Sequence, residues 1–237
     1  MSMKQLSKPW VSAAVFSLGG VAAMVLRFWL LNAGVDDRGL LVTGHLGYIL
    51  SYILSVALPV TLFFALGKKQ SLHFAPNALS AVGFFIQAVG FGLAAWTLLS
   101  YTTLAMRTVT GVFGIAAALC AVVAGIYALR GCRTHPLFFC PGALFFACFL
   151  FCRYQQWSAE PELQRYVFQL AAAVVAMFAM YQRSALGVNM GSSRQYLVWS
   201  RSGILLCLAA IPGSQLPLLW LAMAIFFALD GCEEKAQ

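Results

Sequence analysis

Long apolar runs separated by short polar breaks dominate the chain, and strict alternation of apolar and polar residues is absent. The runs span Trp10–Asn32, Leu41–Gly67, Pro76–Tyr101, Thr108–Leu129, Pro136–Cys152 and Tyr166–Tyr181, and the second stops at Lys68 and Lys69. About 20 apolar residues in α-helical conformation cross roughly 30 Å of hydrocarbon, so each run reads as a membrane span. A final stretch, Gln195–Leu229, is too long for one span. The segment Pro212-Gly213-Ser214-Gln215-Leu216-Pro217 interrupts it. Proline cannot continue the backbone ladder and glycine turns freely, so we read two short spans here, with a re-entrant hairpin as the alternative. The expected architecture is an all-α, polytopic membrane bundle of about eight helices. It forms a single integral membrane domain over residues 1–237, with halves 1–130 and 131–237 as a weak 4+4 parallel repeat.

Composition narrows the class further. Of the 237 residues, 62% are hydrophobic and 9% charged, against about a quarter charged in soluble domains. A soluble globular fold, a disordered chain and a small secreted disulfide scaffold are excluded. Lys4 and Lys8 precede the first run as in a signal peptide. However, no small-x-small cleavage site leads into a hydrophilic mature start, and Arg27 lies where such a site would end. We therefore expect an uncleaved first helix.

Lysine and arginine distribution sets the expected orientation. With a cytoplasmic amino terminus, the inner segments hold Lys4, Lys8, Lys68, Lys69, Arg130, Arg133, Arg183, Arg194, Arg201 and Lys235. The outer loops hold only Arg38, Arg107, Arg153 and Arg165. Both termini are therefore expected in the cytoplasm. The net charge of +8 is then cytoplasmic charge favoured by topology and anionic lipid, and no nucleic-acid partner is expected.

Small residues recur at helical spacing. They are Gly47, Ser51 and Ser55 in the second run, Gly83, Gly90 and Ala94 in the third, and Gly114, Ala118, Ala121 and Gly125 in the fourth. Such stripes let helix backbones approach in lipid. They fit internal packing, a homo-oligomer face or a ligand cleft. The repeat rests on Pro9, Arg27, Trp29, Asp36, Asp37 and Arg38 set against Pro136, Arg153, Trp157, Glu160, Glu162 and Arg165 at similar spacings.

Candidate chemistry is sparse. No aspartate or glutamate falls within a predicted span, which argues against ion-coupled carriage, since such carriers keep a buried carboxylate. There is no His-Glu-x-x-His site, and Ser202-Gly203 lacks the glycine frame of a serine nucleophile. Among three histidines only His45 lies in a span, so haem ligation between two histidines is not expected. The seven cysteines contain no C-x-x-C pair, and we expect no metal, no cofactor and no catalytic residues.

The polar groups worth singling out as ligand or interface residues are Arg27, Trp29, His45, Gln87, Arg153, Trp157, Glu160, Glu162, Arg165 and Gln169. Gln87 and Gln169 carry amides into hydrocarbon, where each needs a partner across helices. The longest outer loop follows Arg153. If the fifth helix continues, Arg153 and Trp157 are i,i+4 neighbours suited to a cation–π pair. Ser158 or Glu160 with Pro161 then starts the sixth helix. An interfacial anchor predicts Arg153 with its head in water or lipid phosphate. A recognition site is the alternative.

The stretch Arg27-x-Trp29, then Asp37-Arg38-Gly39-Leu40, together with Arg153-x3-Trp157-x3-Pro161 and an apolar helix ending near Tyr181 and Gly187, resembles uncharacterised small polytopic membrane proteins of clostridia-type bacteria. The resemblance covers the first two spans and the fifth to eighth. It implies a bacterial plasma membrane location and the order of spans. It implies no activity, because that family has none assigned.

From the residues themselves, the expected function is non-enzymatic sensing or binding of an amphipathic or lipid-like small molecule, with membrane lipids as partners and a homo-oligomer or membrane partner protein as an option. The alternative is a transport component, either a neutral-solute permease or a membrane subunit of a larger transporter. Its coupling surface would lie in residues 182–201, with Arg183, Arg194 and Arg201. A lipid-modifying enzyme comes third.

Overall fold

The structure, a computed structural model, describes residues 9–34, 46–66, 72–74, 77–100, 105–157, 163–230 and 232–234. Among them run eight α-helices: α1 Pro9–Ala33, α2 Leu46–Ala65, α3 Ala78–Ser100, α4 Ala105–Leu129, α5 Cys140–Trp157, α6 Leu163–Gly187, α7 Ser193–Ala210 and α8 Pro217–Leu229. Two three-residue strands, β1 Leu72–Phe74 and β2 Cys232–Glu234, pair antiparallel with Leu72 opposite Glu234.

Helix boundaries follow local chemistry. Asn77 Oδ1 accepts from the Ser80 amide at 2.7 Å, and Ser80 Oγ accepts from the Asn77 amide at 3.3 Å, which caps α3 reciprocally. At the end of α4, Gly131 takes φ +69° and the Cys132 amide reaches back to the Tyr127 carbonyl at 2.9 Å. This is the left-handed closure that glycine permits. His135 caps a 3-10 turn, Pro136–Phe139, that leads into α5. Helix α5 continues through Trp157, as the extended reading required. Ser192 caps α7 by accepting from the Gln195 amide.

The helices α3, α4, α5, α6, α7 and α8 pack in sequence order, and α8 closes back on α3. Helix α1 lies against α7, and α2 against both α1 and α7. We call the end of the bundle where α1 begins the near end, and the other the far end. Aromatic rings fill the interior: Phe91 meets Phe145 edge-on at 5.1 Å, and Trp220 stacks on Phe146 at 6.0 Å. The small-residue stripes serve this packing. Gly90 faces Ala222, Gly114 faces Ala95 and Phe145, and Gly125 faces the Phe85 ring.

Five of the helices are long and apolar enough to cross a membrane: Trp10–Ala33, Ala78–Ser100, Ala105–Leu129, Pro136–Tyr154 and Tyr166–Gly187. Two apolar helices are shorter, Ile49–Ala65 and Pro217–Leu229. The expected helices are present, whereas full spanning by α2, α7 and α8 does not follow from their length and composition. A repeat does not emerge from the packing either. Helix α3 meets α8 and α1 meets α7, but the α4–α7 and α3–α5 contacts that a two-fold relation demands are not among the packed pairs.

Candidate functional site

The broken segment after α7 builds the far-end site. Gly213 adopts φ +75° at the turn, and the Ser214 amide donates to the Ile211 carbonyl at 3.2 Å. Ser214 Oγ accepts from the Leu216 amide at 3.0 Å and from Trp220 Nε1 at 2.9 Å. Gln169 Nε2 donates to the Gly213 carbonyl at 3.1 Å. Each of these bonds satisfies a polar group that the proline-broken backbone would otherwise leave open.

Flanking helices extend past the tip. Its contact on α6 is at Gln169, so Leu163–Phe168 extend past it, by about 9 Å at 1.5 Å per residue. On α3, Gly90 lies against Leu219 and Ala222. The last turns of α3 up to Ser100 therefore also pass the start of α8. Irregular backbone at membrane depth is tolerated only where protein or a water-filled cavity surrounds it. Here Pro212 and Leu216 are buried, while Gly213 and Gln215 at the tip are exposed.

Two buried arginines connect to this tip through aromatic residues. Arg27 is 2% exposed, with its guanidinium 4.5 Å from the centre of the Phe168 ring. Phe168 directly precedes Gln169 and meets Tyr52 of α2 edge-on at 5.1 Å. Arg153 is 4% exposed and sits 5.1 Å from the Phe149 ring. Phe149 packs at 5.8 Å against Trp220, the donor to Ser214. Arg153 thus stacks one turn back along its own helix, on a ring the sequence reading did not single out. Its burial contradicts the expectation of a head reaching water. The guanidinium is enclosed within the protein, with the Phe149 ring against it and further interactions around it.

Of the other candidates, Trp29 is 46% exposed on the bundle surface. His45, Glu160 and Glu162 lie outside the described residues, and the side chains of Trp157 and Arg165 are likewise not described. Gln87 is buried mid-bundle, and its amide points at two thioethers, Met180 Sδ at 3.8 Å and Met223 Sδ at 4.0 Å. Gln87 and Gln169 both gain cross-helix partners, as expected, and the structure does not bring them together.

A second polar cluster, at the near end, was not anticipated. Asp230 follows α8 and is 4% exposed. It accepts a hydrogen bond from the Tyr196 hydroxyl and pairs with Arg183 Nε at 3.3 Å. Arg183 also lies over the Phe139 ring at 5.0 Å. Arg201, 2% exposed, donates to the Phe227 carbonyl at 2.7 Å. Arg194 donates to the Phe63 carbonyl at 2.6 Å and stacks on that ring at 4.0 Å. Helix α7 therefore sends two cations to the carboxyl-terminal carbonyls of its neighbours α8 and α2, where the helix dipole favours positive charge. The transport alternative would draw a coupling surface from residues 182–201 with Arg183, Arg194 and Arg201, and of these Arg183 and Arg201 are buried in the chain. The available signal was an aspartate placed directly after an apolar helix. That placement opposes the dipole and demands a cationic partner.

Between α3 and α8 runs an apolar groove of about 310 Å³, lined by Phe85, Val89, Leu93, Leu218, Leu221 and Ile225 over a floor where Gly90 meets Ala222. Among the described residues no cluster of His, Cys, Asp and Glu is arranged to hold a metal. Comparison of this chain with protein families, curated proteins and solved structures finds no match.

Proposed function

We propose that this chain is a multi-pass protein of a bacterial plasma membrane, with both termini cytoplasmic, that binds an amphipathic, lipid-like molecule without transforming it. The groove between α3 and α8 carries this reading. It is apolar along its length, and it follows α3, a helix long and apolar enough to cross a membrane. In that setting the solvent is hydrocarbon, so a cleft of this shape suits an acyl or other aliphatic chain. Crosslinking tests it: the protein is reconstituted with a phospholipid bearing a diazirine on its acyl chain, illuminated and digested. Adducts at Val89, Leu93 and Leu221 are expected several-fold above those at Val112 and Leu119, which are exposed on α4. Equal labelling of the two sets would remove the basis for a specific groove.

One observation favours a transport component as the second reading. Asp230 is a buried carboxylate in a chain whose predicted spans contain none. Proton-driven solute uptake in vesicles that is lost in Asp230→Asn would favour that reading over binding alone.

A further inference from the structure

We propose that Gln87, Met180 and Met223 together form a binding site for a soft monovalent cation, copper(I) or its redox-inert stand-in silver(I), in the middle of the bundle. The three side chains come from α3, α6 and α8 and are 2%, 3% and 0% exposed. They converge on one point: Gln87 Nε2 lies 3.8 Å from Met180 Sδ and 4.0 Å from Met223 Sδ. None of the three lines the apolar groove, so the site stands apart from the amphipath reading.

The distances suit a metal. With metal–sulfur bonds of about 2.3 Å and a metal–oxygen bond of about 2.1 Å, a trigonal centre holds its oxygen about 3.8 Å from each sulfur. The amide nitrogen already stands near that separation from both sulfurs. A half-turn of the amide puts its oxygen, the better metal donor, in the nitrogen's place. Two of the three donor–donor spacings are then set, and the unbranched methionine side chains adjust the third. The ion occupies the centre of its donors, so no separate cavity is needed. Gly142 of α5 secures one sulfur: a Cβ there would lie 2.6 Å from Met180 Sδ and 2.4 Å from its Cε, so only glycine leaves that thioether its place.

The donor set selects the ion. Thioether sulfur is only a weak hydrogen-bond acceptor, yet among the described residues the Gln87 amide has no oxygen or nitrogen partner. An amide on those terms in hydrocarbon is costly, and coordination by its oxygen gives it a task. Methionine sulfur is soft and uncharged. It favours copper(I) and leaves magnesium, calcium and manganese to oxygen ligands. A thioether also carries no proton to lose, so binding here is insensitive to pH where a thiol site would release protons.

The full chain in nanodiscs, its accessible thiols blocked with maleimide, is titrated anaerobically with copper(I) against a chromophoric chelator. One copper(I) per chain is expected, with the same affinity at about pH 6 and about pH 8. Zinc(II), which takes thiolate, imidazole or carboxylate donors, should not displace it. Met180→Leu and Met223→Leu keep volume and apolarity and should each weaken binding on the order of tenfold or more. Gln87→Met supplies a third thioether and should bind at least as tightly as the parent protein. Met177→Leu, one turn away on α6, should change nothing. Should a leucine variant fail to fold, copper-edge X-ray absorption on the selenomethionine-labelled chain carries the test. Only ligating methionines place selenium at bonding distance from copper, and two such neighbours are expected. Four results overturn the proposal: no copper(I) binding by the blocked protein, displacement by zinc(II), unchanged affinity in folded Met180 and Met223 variants, or a copper shell without selenium. None of them bears on the crosslinking test of the groove.

Discussion

Removing both members of the Asp230–Arg183 pair should cost no more than removing either one. Asp230 and Arg183 are 4% and 8% exposed, and their charged atoms lie 3.3 Å apart. Breaking a buried pair leaves one charge uncompensated, which costs about 3–5 kcal/mol. Asp230→Asn still accepts from Tyr196, so the lower figure of about 3 kcal/mol applies. Arg183→Met keeps an apolar stem over Phe139 and leaves the carboxylate with Tyr196 alone, again about 3 kcal/mol. The double variant holds no unpaired charge. Replacing a buried ion pair by groups of similar volume is often near neutral, so its loss should not exceed about 3 kcal/mol. Simple addition would give about 6 kcal/mol, so the cycle should return a coupling of about 3 kcal/mol, at the upper end for contacting residues. Equilibrium unfolding by steric trapping in bicelles measures all four proteins on one scale. A double variant whose loss equals the sum of the singles within about 0.5 kcal/mol would refute the pairing and with it the view that this cluster ties α6, α7 and α8 together.

The close contact of α3 with α8 predicts a contrast between two glycines. A Cβ at Gly90 would lie 2.5 Å from Ala222 Cβ, whereas one at Gly92 meets nothing within 4 Å. Gly90→Ala should lose about 1–3 kcal/mol by the same unfolding assay, and Gly92→Ala should be neutral or slightly stabilised. Gln169→Leu strips the Gly213 carbonyl of its donor and should cost about 1–3 kcal/mol. Hydrogen exchange measured by mass spectrometry should rise across residues 211–216 and not across α4. Cys132 is the one exposed cysteine among the described free thiols. With Cys232 replaced by serine, a membrane-impermeant maleimide should label Cys132 in inverted vesicles and not in intact cells, and labelling in intact cells would reverse the proposed orientation.

Run length and the proline-glycine break were enough, without coordinates, to determine the helices and their order. Each apolar run must satisfy its backbone internally in a medium without water, and only a helix does so within one segment. The same logic made Gln87 and Gln169 legible as buried amides and the glycine stripes as packing surfaces. Charge was read less well. Arg183, Arg194 and Arg201 were read for orientation, and the fold also gives them partners, Asp230 and the terminal carbonyls of α2 and α8. Arg153, read as an interfacial anchor with its head in water or lipid phosphate, is enclosed in the protein at 4% exposure. Composition tells which end of a helix is polar, but the depth of that end depends on the lengths of the helices around it. Only the packed bundle decides this: Arg153 is covered on α5, and Arg183, Arg201 and Asp230 are covered where α6, α7 and α8 meet, which turns positions written as loop and interface into buried groups.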